Sequence, residues 1–563
     1  MIQKLKDLLY EALNSVEGAR PDLLEISVAS HPRFGDFQTN IALQHAKILK
    51  KNPIQIAQEI VERIPENKIL ESVDIQKPGF INLKIAVPAL ESELNSILDE
   101  GRPVLTQVPD SPSILFDYSS PNVAKTMHVA HLRSTIQGDA LKRIYQSLGW
   151  RVIADNHIGD WGTQFGKLLY AYKNFTHEQN ELSISFLEKI YQQFVAEAEI
   201  NPELEDRARE ELASLQRKEE PNYSLWREFL EISLGEFEQI YMRLGIHFDT
   251  QLGESFFHDQ LQDTVDTLKV RGLVKPSEGA EVIFFENEKY PPFLVQKKDG
   301  SFLYSTTDIA AVLYRMKTYS PKKIVYVTDS RQKLHFEQLF EVIKTLELDV
   351  DLIHVPFGLM KFSEGVVMST RKGAVISLEE FLNEAESRAY EVIRDADYAE
   401  DEKQQIARKV GLGAVKYQDL SQNPSSDILF SWDKALNLEG NSAPYLQYAY
   451  ARVCGIQRKY QKEYKVPENL IFQIRHPAER DLALFFFSYS TAVSQAAETF
   501  KPNMVAEYLF TLSQKFASFY NQCSVIKESV PALRQSRYSL CCLSAQILKH
   551  GLDLLGIEVM ERM

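Results

Sequence analysis

The chain has 563 residues, too many for a single hydrophobic core, so three or four domains are expected. At 44% apolar and 25% charged residues its composition excludes disorder, and no apolar run approaches the ~20 residues that a bilayer helix needs, so no membrane partner is expected. The net charge of −15 argues against a polyanion spread over the whole surface, but residues 441–563 hold 14 Lys and Arg against 10 Asp and Glu, so any such partner belongs there.

The N-terminal residues mix charges into an amphipathic helix and lack the composition of a signal or transit segment, which makes a cytoplasmic location the expectation. Residues 1–100 read as a small α+β unit. Leu5, Leu8, Leu9, Ala12, Leu13 and Val16 share one helix face, 41–49 and 54–64 suggest two more helices, and 80–85 alternates like a strand. Gly101-Arg102-Pro103 and the stretch from Pro109 to Pro112 look like a linker. From Ile114 strands alternate with helices: 114–116, a helix from His128, 151–154, a helix after Gly162, then 324–327, 334–346 and 352–355. That rhythm implies a parallel sheet with crossover helices. Between its halves, at about 170–300, lies an acidic and mainly helical insertion. After Gly373 everything reads as helix, at 378–396, 400–418, 444–462, 478–500, 503–521 and 531–554, an all-α bundle. Cys454, Cys523, Cys541 and Cys542 lack any CxxC spacing and read as small core residues, with no structural metal.

Three stretches hold the candidate chemistry. His128 and His131 follow a strand and open a helix, sharing one face beside the unpaired N–H groups and positive dipole end that suit a phosphate. An inert, hydrogen-bonded pair is the alternative from HxxH alone, and the cluster of Ser119, Ser120, Asn122 and Lys125 just ahead weighs against it. The second stretch, 361–373, is bounded by glycine and carries Ser369, Thr370, Arg371 and Lys372. Alone it is a solvated basic turn, but after the last parallel strand it falls at the same sheet edge as His128, and two phosphate-type sites there suggest a nucleoside triphosphate. The third, 156–166, lines a pocket mouth or is a plain turn with a helix cap at Asp160; the two readings are even.

At these residues the chain resembles the arginyl-tRNA synthetases of class I from end to end. Residues 119–135, with His128-Val129-Ala130-His131, are similar to that family's "HIGH" signature, and Met368-Ser369-Thr370-Arg371 resembles its relaxed "KMSKS" loop. Residues 442–452 resemble the entry to its anticodon-binding domain. The resemblance implies a Rossmann-like α/β catalytic domain at 109–375 with the insertion, preceded by a D-loop-contacting domain at 1–108. It implies a helical stem-contact linker at 376–440 and an anticodon-binding bundle at 441–563. It further implies arginine and ATP as substrates, Mg²⁺ with the ATP, tRNA-Arg as acceptor and a monomeric enzyme. Two departures stand out: Ala130 replaces the usual Gly of HIGH, and Val367 replaces the first Lys of KMSKS, whose charge the resemblance assigns to Lys125.

By the same resemblance Lys125, His128, His131, Ser369 and Arg371 are catalytic, and His128, Ala130, His131, Met368, Ser369, Thr370, Arg371 and Lys372 surround ATP. Glu254, Tyr304 and Asp308 hold the guanidinium, a planar fork of donors, while Asn122 and Gln332 hold the other end of arginine. For tRNA, Arg452, Arg458 and Lys459 share one predicted helix, Tyr520 and Asn521 lie on another, and Phe37 and Gln38 are the N-terminal candidates. Taken without the resemblance, Glu254 is a helix N-terminal charge and Asp308 an N-cap. A stand-alone nucleotidylyltransferase uses a similar strand–HxxH–helix element but has no need of a basic helical domain. A catalytically silent tRNA-binding relative is favoured only by Ala130 and Val367.

Overall fold

The computed structural model describes residues 1–29, 31–99, 101–175, 182–362 and 376–563. In the N-terminal unit the helix Ile2–Asn14 buries Leu5, Leu9, Ala12 and Leu13, as its spacing demands. Helices Ile41–Leu49 and Pro53–Val61 follow, the second started by Pro53 and by Asn52, whose side chain accepts the Ile54 N–H at 2.9 Å. They pack on a four-stranded antiparallel sheet in the order Ser27–Val28, Phe37–Thr39, Phe80–Ile85, Leu70–Gln76. Asp36 is buried beside this sheet and accepts from Ile85 N–H at 2.6 Å and from Arg480 Nε at 3.0 Å, so an ion pair ties the unit to the C-terminal helices.

The central sheet has four parallel strands in the order Asp351–Phe357, Lys323–Asp329, Ser113–Asp117, Arg151–Asp155. Ser113–Asp117 is buried along its whole length, which accounts for its continuous apolar run. Two strand ends carry carboxylates in register, Asp117 beside Asp155. The buried Arg315, on helix Tyr304–Tyr319, meets both, Nη2 lying 2.6 Å from Asp117 Oδ2 and 2.7 Å from Asp155 Oδ2, while Nη1 donates to Tyr326 Oη at 3.3 Å.

The stretch expected to be mainly helical is so in its first part, with helices Ile184–Ile200, Glu203–Gln216 and Asn222–Leu244. The chain then returns to the sheet edge, where Asn156 N–H donates to Thr250 O at 3.0 Å. Beyond it lies a three-stranded antiparallel sheet, Val274–Ser277, Ala280–Ile283 and Phe293–Gln296, which the helical expectation missed because these strands are only four residues long. A second correction concerns the segment after 373: Ile428–Phe430 pairs in parallel with Met360–Phe362. The single helix expected at 478–500 is two, Pro477–Phe486 and Tyr489–Thr499, because Phe487 and Ser488 donate to carbonyls three residues back and tighten the chain. The other C-terminal helices are Leu378–Ile393, Glu400–Leu420, the short Trp432–Ala435, Ala443–Glu463, Asn503–Gln522 and Pro531–Leu554.

Arg315→Met removes the cation that bridges a buried carboxylate pair. It is expected to cost about 3–5 kcal/mol of stability, read as a lowered thermal unfolding midpoint of the purified chain.

Candidate active site

The site is built at the carboxyl edge of the central sheet. Tyr118 closes the Ser113–Asp117 strand, and a loop leads to His128, the N-cap of helix Val129–Ser147. His128 N–H donates to His131 Nδ1 at 3.1 Å, and the two rings stack with centroids 4.0 Å apart. Because its Nδ1 accepts, neutral His131 carries its proton on Nε2. Burial, with the neighbouring His128 adding to it, pulls the His131 pKa down to about 4, and burial lowers His128 as well. At neutral pH His131 is therefore an uncharged N–H donor at a helix start. His128 Nδ1 is buried and has no hydrogen-bond partner among the described residues. Ala130 lies exposed on the first turn between the histidines.

Lys125 is half-buried, its ammonium 5.4 Å from the centre of the Tyr191 ring. Asn122 is exposed and pairs with Gly159, whose missing side chain is required: a Cβ there would stand 2.3 Å from Asn122 Oδ1. Asp160 is not the cap of the helix that follows it, Thr163–Asn174, whose N-cap is Gly162. It accepts from Ser255 N–H at 2.8 Å and Ser255 Oγ at 2.6 Å, fixing the turn that presents Glu254, the first residue of helix Glu254–Phe257. Burial first, then the charges of Asp160 and Asp308, push the Glu254 pKa up to about 7 against the opposing effect of His157.

Tyr304 and Asp308 open one helix, four residues apart, so Asp308 is not an N-cap. Sequence reasoning missed His335, whose Nε2 lies 2.6 Å from Asp308 Oδ2 and whose ring centroid is 4.9 Å from that of Tyr304. Its signal was present: His335 sits on the first turn of a helix, Lys333–Thr345, that follows a parallel strand, just as His131 does. Gln332 is the exposed N-cap of that helix.

The expectations for Met368, Ser369, Thr370, Arg371 and Lys372, and for Val367, lie outside the described residues. The chain on either side of them is fixed to the histidine helix. Arg133 donates to Gly358 O, and on the C-terminal side Val129 N–H donates to Ile376 O at 3.3 Å and Leu378 N–H to Met127 O at 2.8 Å.

Of the candidates for nucleic-acid contact, Arg452, Arg458 and Lys459 share the helix Ala443–Glu463. The Arg452 guanidinium lies 4.5 Å from the Tyr520 ring centre, Arg458 donates to Glu561 O at 2.9 Å, and Lys459 and Asn521 are exposed. Phe37 is a correction: it is 0% exposed, on the core face of its sheet, and has no face left for a base. Gln38, on the other face, lines an 840 Å³ cavity between the N-terminal unit and helix Tyr489–Thr499, together with Asn40, Ser490, Ser494 and Gln495. Among the described residues no group of three or more His, Cys, Asp or Glu side chains is placed to hold a metal ion.

A parallel sheet with paired histidines at a helix start on its carboxyl edge is the arrangement of a nucleotide-binding catalytic domain, and the class is that of the class I aminoacyl-tRNA synthetases, because residues 93–432 match the family described as "tRNA synthetases class I (R), catalytic domain". Residues 3–85 match "Arginyl tRNA synthetase N terminal domain" and 446–563 match "DALR anticodon binding domain". The chain is 44% identical over 546 residues to an arginine–tRNA ligase of Fusobacterium nucleatum, covering 96% of this chain and 95% of that one. It is 40% identical to one of Laribacter hongkongensis over the full length of both. Among solved structures, arginyl-tRNA synthetase of Plasmodium falciparum superposes with a TM-score of 0.84 at 28% identity over 100% of this chain and 99% of that one. That of Thermus thermophilus gives 0.84 at 25% identity over 100% of each. The chain belongs to the arginyl-tRNA synthetases, arginine–tRNA ligases of class I.

A histidine whose folded pKa lies below its unfolded value binds fewer protons folded than unfolded, so its contribution to stability holds above about 6.5 and is lost as the pH falls. His131 and His354 both drop to about 4. The thermal midpoint is expected to decline as the pH is lowered from about 6.5 to about 4, with a smaller decline in His354→Asn; scanning calorimetry across that range checks it.

Proposed function

We propose that the carboxyl edge of the sheet activates arginine with ATP and then passes it to tRNA-Arg. In the first step an arginine carboxylate oxygen attacks the α-phosphorus, arginyl-adenylate forms and pyrophosphate leaves. In the second, the 2′-OH of the terminal adenosine attacks the arginyl carbonyl and AMP departs. The attacking carboxylate is already ionised, so no protein base is needed. Rate comes from alignment and from donors aimed at the charge that grows on the α-phosphate and the leaving pyrophosphate. His131 Nε2–H, His128 and Lys125 serve this purpose beside the helix N-terminus, with Ala130 against the nucleotide. Met368, Ser369, Thr370, Arg371 and Lys372 belong to the same ATP site by resemblance. Mg²⁺ enters as part of the nucleotide substrate and shares its phosphate charge.

The observation that carries the choice of amino acid is the acidic pair. Glu254 and Asp308 are near enough for one charge to raise the other's pKa, an arrangement that a guanidinium between them relieves. His335 holds one Asp308 oxygen and flanks Tyr304, which leaves the other oxygen for the substrate. Asn122 and Gln332 bind the amino and carboxylate end. For the tRNA, Arg452, Arg458, Lys459, Tyr520 and Asn521 offer cations and ring faces to an unstacked anticodon, and Gln38 with its cavity serves the D-loop side. The enzyme acts as a monomer in the cytoplasm; none of its described helices is long and apolar enough to cross a membrane.

Arginine-dependent ATP–pyrophosphate exchange, run with and without tRNA, tests the assignment. His131→Ala is expected to lower it by about 10²–10³, and full exchange in that variant would displace the histidine from the mechanism. Guanidinium binding needs Glu254 ionised, so kcat/KM for arginine should fall roughly fivefold from about pH 7 to about pH 6. That dependence should vanish in Glu254→Gln; a flat profile in the unsubstituted enzyme would take Glu254 out of the pocket.

A further inference from the structure

The loop between the strand Ser113–Asp117 and His128 is bent at three non-glycine residues in the left-handed region, Ser119 (φ 74°), Ser120 (φ 50°) and Ala124 (φ 59°). Side chains in that region strain the backbone, and such a loop persists only where its surroundings hold it. Ser134 Oγ accepts Ser119 N–H at 2.9 Å, and Asn156 Oδ1 accepts Ser120 N–H at 3.0 Å. Thr135 Oγ1 donates to Ser119 Oγ at 2.8 Å and Val123 N–H to Gly159 O at 3.0 Å, and further supports come from the helical insertion. Ser233 Oγ accepts Ala124 N–H at 3.0 Å, and Tyr241 Oη shares a 2.8 Å hydrogen bond with Ser119 Oγ. On the helix Ile184–Ile200, Glu188 takes two donors from one residue: Oε1 accepts Thr126 N–H at 3.2 Å and Oε2 accepts Thr126 Oγ–H at 2.7 Å. One turn on, Tyr191 lies under the ammonium of Lys125.

We propose that Glu188 is a positioning residue for the ATP side of the site. It clamps Thr126 and thereby fixes the flanking residues, Lys125 against the Tyr191 ring and His128 at the helix start. The two-point grip gives the insertion, which adds no strand to the central sheet, a reason to pack on this loop: it supplies acceptors to a segment whose backbone is bent. The proposal rests on the assignment of Lys125 and His128 to ATP. It separates the substrates, since neither Glu188 nor Thr126 approaches Glu254, Tyr304 or Asp308 in any described contact.

The test is steady-state pyrophosphate exchange on the full-length enzyme, varying ATP and arginine separately, with a thermal melt for each variant. Thr126→Val, which keeps the shape and removes one donor, and Glu188→Leu, which removes both acceptors, are expected to raise KM for ATP about tenfold. KM for arginine should stay within about twofold. Thr126→Ser, which keeps the hydroxyl, should restore the parent value. Tyr191→Phe should behave as the parent and Tyr191→Leu as Thr126→Val, which keeps the question open to test if a Thr126 or Glu188 variant fails to fold. An unchanged KM for ATP in folded Thr126→Val and Glu188→Leu, or an equal rise for both substrates, would overturn the positioning role. Lys125→Ala tells the two layers apart. If it raises KM for ATP while the Thr126 and Glu188 variants do not, only the positioning role falls; if it leaves KM for ATP unchanged, the assignment of Lys125 falls and the proposal with it.

Discussion

Two carboxylates at the ends of adjacent strands, Asp117 and Asp155, share the buried guanidinium of Arg315, and the geometry of the whole sheet edge depends on that arrangement. Burial pushes the Asp117 pKa up even with Arg315 in contact, so the pair is costly to keep ionised and intolerant of a lost partner. What it secures is local: Ser120 Oγ donates to Asp117 Oδ1 at 3.3 Å and Thr250 Oγ1 to Asp155 Oδ1 at 2.6 Å. The first contact begins the loop to the histidines, and the second receives the chain returning from the insertion and leading to Glu254. Both halves of the proposed substrate site therefore start from one charge cluster.

The histidine helix carries this geometry to the rest of the molecule. It is buried along most of its length, so its sequence shows little amphipathic contrast. Arg133, two residues past His131, is 1% exposed and pairs with Asp419 at 2.7 Å, while Gln137 donates to the same carboxylate. Six residues further, Arg143 reaches Asp139 at 2.6 Å and Asp553 at 3.3 Å. Beside them Lys416, held near a pKa of about 8 by burial, donates to Leu244 O and Gly556 O, both at 2.6 Å. The insertion, the linker helix Glu400–Leu420 and the C-terminal domain thus converge on one face of the helix whose first turn bears His131. Arg480 with Asp36 completes the frame by joining the first unit to the last domain.

Particular residues show how far the sequence could be read. The alternation of strands and helices from Ile114 was legible because each element repeats its apolar positions within a few turns. His128 and His131 were legible because a helix start after a strand is a local signal. Short pieces escaped: Met360–Phe362 and Ile428–Phe430 are three residues each and exist only by pairing across 68 positions. Phe37 was misjudged because a strand's faces are indistinguishable until the sheet is packed. Asp160 looked like a helix cap, yet the ligands of its carboxylate lie 95 residues away. His335 offered only its place at a helix start, and Glu188 no signal at all, before Asp308 and Thr126 were brought beside them.

The sequence by itself determined the parallel sheet, the helical character of the C-terminal part with the positive charge of residues 441–563, and the two histidines at a helix start, while most of the other candidate side chains came from the resemblance. The former follow from periodicity, capping and composition, which act over a handful of residues. Only the tertiary structure decided which groups meet. It set Arg315 between two strand ends, bent the loop at Ser119, Ser120 and Ala124, placed the insertion's Glu188 on Thr126, raised Glu254 by burial beside Asp308, and lowered His131 by burying it. Each of these is a burial or a charge contact between distant segments, and the energy of such a contact depends on separation in space rather than along the chain.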